Sequence, residues 1–196
     1  PQHIQSIAAA CTGMKPIKRN LPAITRVCSR TQTVAIGTGF PTVVIGERIN
    51  PTGRKILREE LATGNLATVK QDAFKQVRAG AHILDINMGV PGVDEAGLMT
   101  NAILELQQLV QVPFAIDTTN PEALEAGLKA YAGKALINSV TAEPARMDVI
   151  LPLAKKYGAA VLRLTITPTG IAKTATERIV AAQTILTQGL HYGLPK

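Results

Sequence analysis

Residues 43–53 read VVIGERINPTG, and this stretch decides the fold. A short run of β-branched residues, which favours a buried strand, ends in the polar residues Glu47 and Asn50 before a turn at residues 51–53. A strand that only had to pack would not need such an end. We therefore interpret the polar residues as part of a site at the carboxyl end of a strand.

The same pattern recurs three times further along the chain. In each case an apolar run typical of a strand ends abruptly in carboxylate, amide or hydroxyl side chains. Because the carboxyl ends of parallel strands meet at one rim of a barrel, we expect these side chains to converge on one ligand. The three runs are HILDINMG at 82–89 with Asp85 and Asn87, VPFAIDTTN at 112–120 with Asp117, and KALINSVT at 134–141 with Asn138 and Ser139.

Helical patterns separate these runs and give five β-then-α units from residue 42 onward. Asn120-Pro121-Glu122 is a strong helix start, and Thr174 with Glu177 forms a capping-box pattern before a helix whose predicted inner face includes Ile179. No hairpin signal separates the strands, so we predict parallel strands joined by helices.

Two architectures fit this alternation, an eight-fold βα barrel and an open doubly wound sheet. A nucleotide-binding doubly wound sheet needs a Gly-rich loop after its first strand, and none follows strand one here. Polar strand ends favour the barrel. Such a barrel needs about 250 residues, and 155 follow from residue 42. We therefore predict an α/β fold, a (β/α)8 TIM barrel over 42–196 that is truncated after about five βα units, preceded by a helix and extended linker over 1–41.

The net charge of +7 comes from the front of the chain. Residues 1–58 hold nine Lys/Arg and one acid, whereas the remainder holds twelve basic and thirteen acidic residues. Nucleic-acid sites combine basic patches with stacking aromatics, and aromatics make up only 3% of this chain. We therefore predict no nucleic-acid partner.

Cysteine usage and hydropathy indicate a cytoplasmic protein without a membrane partner. Cys11 and Cys28 have no metal-like spacing and are expected to be free thiols in a reducing compartment. No apolar run is long enough to span a bilayer, and no signal-peptide pattern opens the sequence.

The polar strand ends suit a flat, nitrogen-rich heterocycle. A carboxylate accepts two N–H bonds from an amino-pyrimidinone edge, and an asparagine both donates and accepts. Cysteine and histidine are absent from the strand ends, so no zinc or iron site is predicted and no metal is assigned to the site. Two alternatives stay open: divalent-metal binding by Asp85 and Asp117, and a purely helix-capping role for Asp117 and Asn120.

The segments VVIGERINPTGRK, LDINMG, IDTTN and LINS, in that order, resemble the pterin-binding βα-barrel family. Within it they are most similar to the methyltetrahydrofolate-binding methyltransferases, which include corrinoid-protein methyltransferases and the folate modules of cobalamin-dependent methionine synthases. The front segment PQHIQSIAAACTGMKP is similar to the end of the homocysteine-binding module that precedes such folate modules.

The resemblance implies transfer of the N5-methyl group of methyltetrahydrofolate to the cobalt of a corrinoid, cobalamin, carried by a partner domain or protein. It also implies a homocysteine-binding module upstream. The family's later Asp and Asn, on strands six and seven, have no counterpart before Lys196. The matching positions are Asp117 and Asn138 as the pterin-contacting, catalytic pair, Asp85 and Asn87 as the strand-two pair, and Glu47 and Asn50 as the opening motif.

Two other functions remain open at this stage. Dihydropteroate synthases share the barrel and the strand-end Asp and Asn positions. A truncated fragment that binds folate without catalysing a reaction is the third possibility.

Overall fold

The computed structural model describes residues 1–17 and 24–195. The helices are α1 (Gln2–Ala10), α2 (Lys55–Ala62), α3 (Ala67–Arg78), α4 (Glu95–Leu109), α5 (Pro121–Ala130), α6 (Pro144–Tyr157) and α7 (Ala175–His191). The strands are β1 (Thr25–Cys28), β2 (Thr33–Ile36), β3 (Ile45–Ile49), β4 (Ile83–Ile86), β5 (Phe114–Asp117), β6 (Leu136–Thr141), β7 (Ala160–Leu164), β8 (Ile166–Thr167) and β9 (Gly170–Ile171).

The central sheet has five parallel strands in the order β3-β4-β5-β6-β7. Strands that follow one another along the chain are neighbours in the sheet, and helices connect them. This order confirms the prediction of parallel strands joined by helices. Strands β3 and β7 form the two edges of the sheet, and within the described ranges neither has a second partner strand.

Helices α2 to α7 all pack on one face of the sheet. Each contributes buried side chains to a single hydrophobic cluster that also contains Leu84, Phe114 and Ile137 from the strands. A doubly wound sheet would carry helices on both faces. The arrangement is therefore that of a βα-barrel wall, in agreement with the predicted fold class.

The opposite face of the sheet is the inner side of this wall. Ile83, Ala115 and Leu136 form a second buried cluster there with Val27 of β1. Because side chains alternate between faces along a strand, the residue two positions further along β4 or β6 points to the same side. Those residues are Asp85 and Asn138.

An antiparallel hairpin, formed by β1 and β2, lies within the segment predicted as an extended linker. Cys28 of this hairpin pairs with Lys134 through two backbone hydrogen bonds of 3.0 and 2.9 Å. Val27 is fully buried beneath it. The sequence does not predict the hairpin, because backbone pairing and one buried side chain hold it and neither produces a periodic pattern.

The predicted N-terminal helix is present as α1. None of its residues is buried, and Ile4 and Ile7 are largely exposed. Residues 18–23, which the prediction assigns to the linker, lie outside the described part of the chain.

Both predicted helix starts are confirmed. The Asn120 side chain accepts hydrogen bonds from the backbone N–H groups of Glu122, at 2.9 Å, and Ala123, at 3.4 Å. Thr174 and Glu177 form the reciprocal capping box at the start of α7. These local signals depend only on residues close in sequence, which is why the sequence predicts them well.

The predicted inner face of α7 is wrong by part of a turn. Ile179 is 57% exposed, and the helix instead buries Ala181, Ile185 and Gly189. Two apolar stripes with the same helical spacing overlap in this sequence. Only the position of β7 and α6 decides which stripe packs inward.

Candidate functional site

Asp85 and Asn138 meet at the inner face of the sheet. The Asn138 Nδ2 atom lies 3.2 Å from both carboxylate oxygens of Asp85 and donates to them. Asp85 is only 7% exposed, and it is one of two buried polar or charged residues in the described ranges. A buried carboxylate is costly unless it is hydrogen-bonded, so this pair is a specific arrangement.

Burial raises the pKa of Asp85 from its ordinary value of 3.8 to about 6. The nearby Asp117 and Glu47 carboxylates raise the pKa as well, because a second negative charge disfavours ionisation. The hydrogen bonds from Asn138 act in the opposite direction. Asp85 can therefore exchange a proton close to neutral pH.

Asn87 and Asp117 form a second pair beside the first. The Asn87 Nδ2 atom donates to Asp117 Oδ2 at 3.0 Å. The Asn87 Oδ1 atom accepts from the backbone N–H of Gly89 at 2.9 Å, which turns the amide nitrogen toward Asp117. A Cβ atom at Gly89 would lie 3.2 Å from Asn87 Oδ1, so a glycine suits this close approach.

The two pairs share one rim of the sheet. Asp117 of β5 and Asn138 of β6 are register partners, and Asp85 is opposite Ala115. The predicted convergence of Asp85, Asp117 and Asn138 on one face is therefore present in the structure. The carboxylate oxygens accept hydrogen bonds from N–H groups, and the asparagine amides both donate and accept. The rim can therefore recognise a ligand whose edge carries donors and acceptors.

The other three predicted site residues do not join this hydrogen-bonded cluster. Glu47 is exposed and acts on Asp85 through its charge. Asn50 Oδ1 accepts from the Thr52 backbone N–H at 2.9 Å and so shapes the turn after β3. Ser139 is half-buried beside Asn138, and its side chain has no hydrogen bond within the described residues.

Two residues of the rim were not recognised from the sequence. The Thr118 hydroxyl donates to the Glu95 carboxylate, and Thr118 is 6% exposed. Glu95 is not among the site residues predicted from the sequence. The available signal was a hydroxyl residue directly after Asp117, but its partner lies 23 positions earlier in the chain.

The described residues contain no group of three or more His, Cys, Asp or Glu side chains that could hold a metal ion. Both oxygens of Asp85 accept from the Asn138 amide, and so face a hydrogen-bond donor. Among these same residues, no helix combines the length and the apolar character required to cross a bilayer.

A one-sided parallel βα sheet with carboxylates and amides at its carboxyl rim is the architecture of a ligand-binding βα barrel. Residues 46–188 match the profile of a family described as pterin binding enzyme, and the chain belongs to that family. The match includes all seven predicted site residues.

One curated relative is a methionine synthase of Mycobacterium tuberculosis (strain ATCC 25618 / H37Rv). It is 31% identical over 191 residues, which cover 95% of this chain and 16% of the relative. The chain thus spans about one sixth of that protein's length.

Solved structures share the fold. A DHPS of Yersinia pestis with a pterine-sulfa conjugate has a TM-score of 0.62 at 20% identity, over 87% of this chain and 61% of that one. A 7,8-dihydropteroate synthase of Vibrio fischeri ES114 has a TM-score of 0.62 at 19% identity, over 88% and 63%. At these identities the likeness establishes the architecture alone.

Proposed function

We propose that this chain binds methyltetrahydrofolate at the rim and presents its N5-methyl group for transfer to the cobalt of a corrinoid. The observation that carries the proposal is the adjacent Asp85–Asn138 and Asn87–Asp117 pairs on the inner rim of a pterin-binding family member. The 31% identity to a methionine synthase supports methyl transfer as the reaction.

The two pairs would hold the pterin ring by its polar edge. The carboxylates of Asp85 and Asp117 accept N–H groups, and the Asn138 amide supplies both a donor and an acceptor. In the free protein these side chains hydrogen-bond to one another. A bound pterin would replace those hydrogen bonds with hydrogen bonds between the protein and the ligand. Glu47, Asn50, Asn87 and Ser139 complete the proposed binding set.

Methyl loss leaves the electron pair of the broken bond on N5, which therefore needs a proton or a strong hydrogen bond as the bond breaks. We assign Asp117 and Asn138 to this step, because a carboxylate and an amide at the ring favour its protonated form in the transition state. The protein also orients the methyl group. The corrinoid supplies the cobalt that accepts the methyl group.

The partners follow from the same proposal. The corrinoid is carried by another domain or protein, and a homocysteine-binding module lies upstream of the linker. Residues 42–196 form the pterin-binding domain. Helix α1, with no buried residue of its own, is consistent with a segment that belongs beside another module.

A dihydropteroate synthase-like reaction is the second candidate, favoured by the fold shared with those enzymes. Two assays separate the candidates: methyl transfer from methyltetrahydrofolate to a corrinoid, and condensation of a pterin with p-aminobenzoate. Activity in the second assay alone would replace our proposal. Folate binding that is weak and identical in wild type and Asp117→Ala would favour a non-catalytic fragment.

Asn138→Ala should weaken methyltetrahydrofolate binding by about 1–3 kcal/mol, because a buried hydrogen-bonding partner is left unpaired. Calorimetric titration of the wild type and the variant measures this difference. Asn101→Ala, an exposed asparagine on α4, is the matched control and should bind like the wild type. Equal affinity of the Asn138 variant and the wild type would remove Asn138 from the site.

A further inference from the structure

We infer that Thr118 and Glu95 are a positioning pair that holds the Asn87–Asp117 half of the site in its binding geometry. Thr118 follows Asp117 directly in the chain, so the pair is linked to Asp117 through the backbone. Its link to folate binding rests on the proposed function, whereas its effect on Asn87 and Asp117 does not.

Thr118 is held from two sides. Its buried hydroxyl donates to the Glu95 carboxylate at the start of α4 and accepts from the Asn120 backbone N–H at 3.0 Å. Because Thr118 directly follows Asp117, these bonds fix the chain direction at the end of β5.

Glu95 also lies close to Gly89, on the Asn87 side of the Asn87–Asp117 pair. A Cβ atom at Gly89 would lie 3.9 Å from Glu95 Oε1 and 3.2 Å from Asn87 Oδ1. The Glu95 carboxylate thus lies near Gly89, whose backbone N–H orients the Asn87 amide. The Thr118–Glu95 hydrogen bond therefore connects the start of α4, close to Gly89, with the loop after β5.

Helix capping does not account for this bond. The start of α4 is capped by Asp94, whose side chain accepts from the Gly97 backbone N–H at 3.0 Å. The start of α5 is capped by Asn120. Both helices are therefore capped without the Thr118–Glu95 bond. The bond between this buried threonine and its carboxylate partner must have a role other than helix capping.

Position matters here because Asp117 is only half-buried and its carboxylate depends on the Asn87 amide for its orientation. A site tolerates little displacement of its binding groups, so loss of the Thr118–Glu95 bond should reduce affinity. We expect about tenfold weaker methyltetrahydrofolate binding, equivalent to one lost hydrogen bond.

The test compares variants that break the bond with variants that keep it. Thr118→Val and Glu95→Ala remove it, whereas Thr118→Ser and Glu95→Gln retain a donor and an acceptor. Thr119→Val is the matched control, because Thr119 is exposed and uses only its carbonyl oxygen, which accepts from Arg146.

The first readout is the NMR signal pair of the Asn87 side-chain amide in the ligand-free full chain, assigned with Asn87→Asp. Both bond-breaking variants should shift these signals, and the conservative variants and Thr119→Val should not. The second readout is the dissociation constant for methyltetrahydrofolate. The double variant Thr118→Val/Glu95→Ala should bind no more weakly than Thr118→Val alone, since Thr118→Val already removes the bond to Glu95.

Unchanged Asn87 signals in a folded Thr118→Val or Glu95→Ala protein would overturn the inference, whatever the affinity. If Thr118→Val does not fold, Glu95→Ala decides, because Glu95 is half-exposed. Shifted Asn87 signals in a protein that binds no methyltetrahydrofolate would support the positioning pair and reject the proposed ligand.

Discussion

Asp85→Asn should raise the free energy of unfolding by up to about 3 kcal/mol at pH 8 and change it little at pH 4. The pKa of Asp85 is raised in the folded protein from 3.8 to about 6. The folded state therefore binds the Asp85 proton more tightly than the unfolded state does. Its contribution to stability is complete below pH 3.8 and is lost as the pH rises through about 6.

Asparagine carries no charge at either pH and still offers Asn138 an acceptor oxygen. Urea unfolding of the wild type and the variant at pH values from 4 to 8 measures the effect. Glu59→Gln is the control, since the Glu59 side chain is 65% exposed and its ion pair with Lys55 is weak. If the free energies of unfolding of the wild type and Asp85→Asn changed in parallel with pH, burial would not raise the pKa of the Asp85 carboxyl.

Ionisation of buried Asp85 lowers the stability of the folded protein, which is expected of a binding-site residue more than of a residue that only packs. A ligand that donates N–H groups to the carboxylate would offset part of that cost, and within residues 1–17 and 24–195 only the Asn138 amide donates to it. Groups with shifted pKa values cluster at functional sites for this reason. Asp85→Asn is therefore expected to gain stability and lose pterin affinity.

Gly133→Ala should destabilise the protein by about 3 kcal/mol through loss of the docked hairpin. A Cβ atom at Gly133 would overlap the backbone carbonyl oxygen of Cys28. That oxygen accepts from the Lys134 backbone N–H at 2.9 Å and the Tyr131 hydroxyl at 3.0 Å. Separation of the two segments would lose these bonds and expose Val27, which is now fully buried.

Denaturant unfolding measures the loss, and limited proteolysis between β1 and β2 reports whether the hairpin has left the barrel. Gly189→Ala is the matched control, because a Cβ atom there meets Leu194 at an ordinary 3.7 Å. Gly189 lies inside α7, where alanine favours the helix by up to about 1 kcal/mol. Wild-type stability and protease resistance in Gly133→Ala would show that the hairpin does not depend on this close approach.

Much of the barrel wall could be predicted because its signals are local. Strands β4, β5 and β6 are short apolar runs followed by polar residues, and the starts of α4, α5 and α7 carry their own capping side chains. The alternation of these elements predicts parallel strands, and the polar ends predict one functional rim.

The elements that were missed depend on contacts between distant residues. Hairpin β1–β2 is anchored by backbone bonds to Lys134, more than a hundred positions along the chain. The eight-residue helix α2 buries only Leu57 and Leu61, which is too little for a periodic pattern. The Thr118–Glu95 bond joins the loop after β5 to the start of α4, 23 positions earlier in the chain.

The sequence by itself determined which chemical groups stand at the strand ends and in which order, since strand propensity and chain direction place them there. Only the tertiary structure decided that Asn138 pairs with Asp85, 53 positions away, and Asn87 with Asp117, 30 positions away. It also decided the pKa of Asp85, because the loss of solvent around a carboxyl depends on how the neighbouring strands cover it.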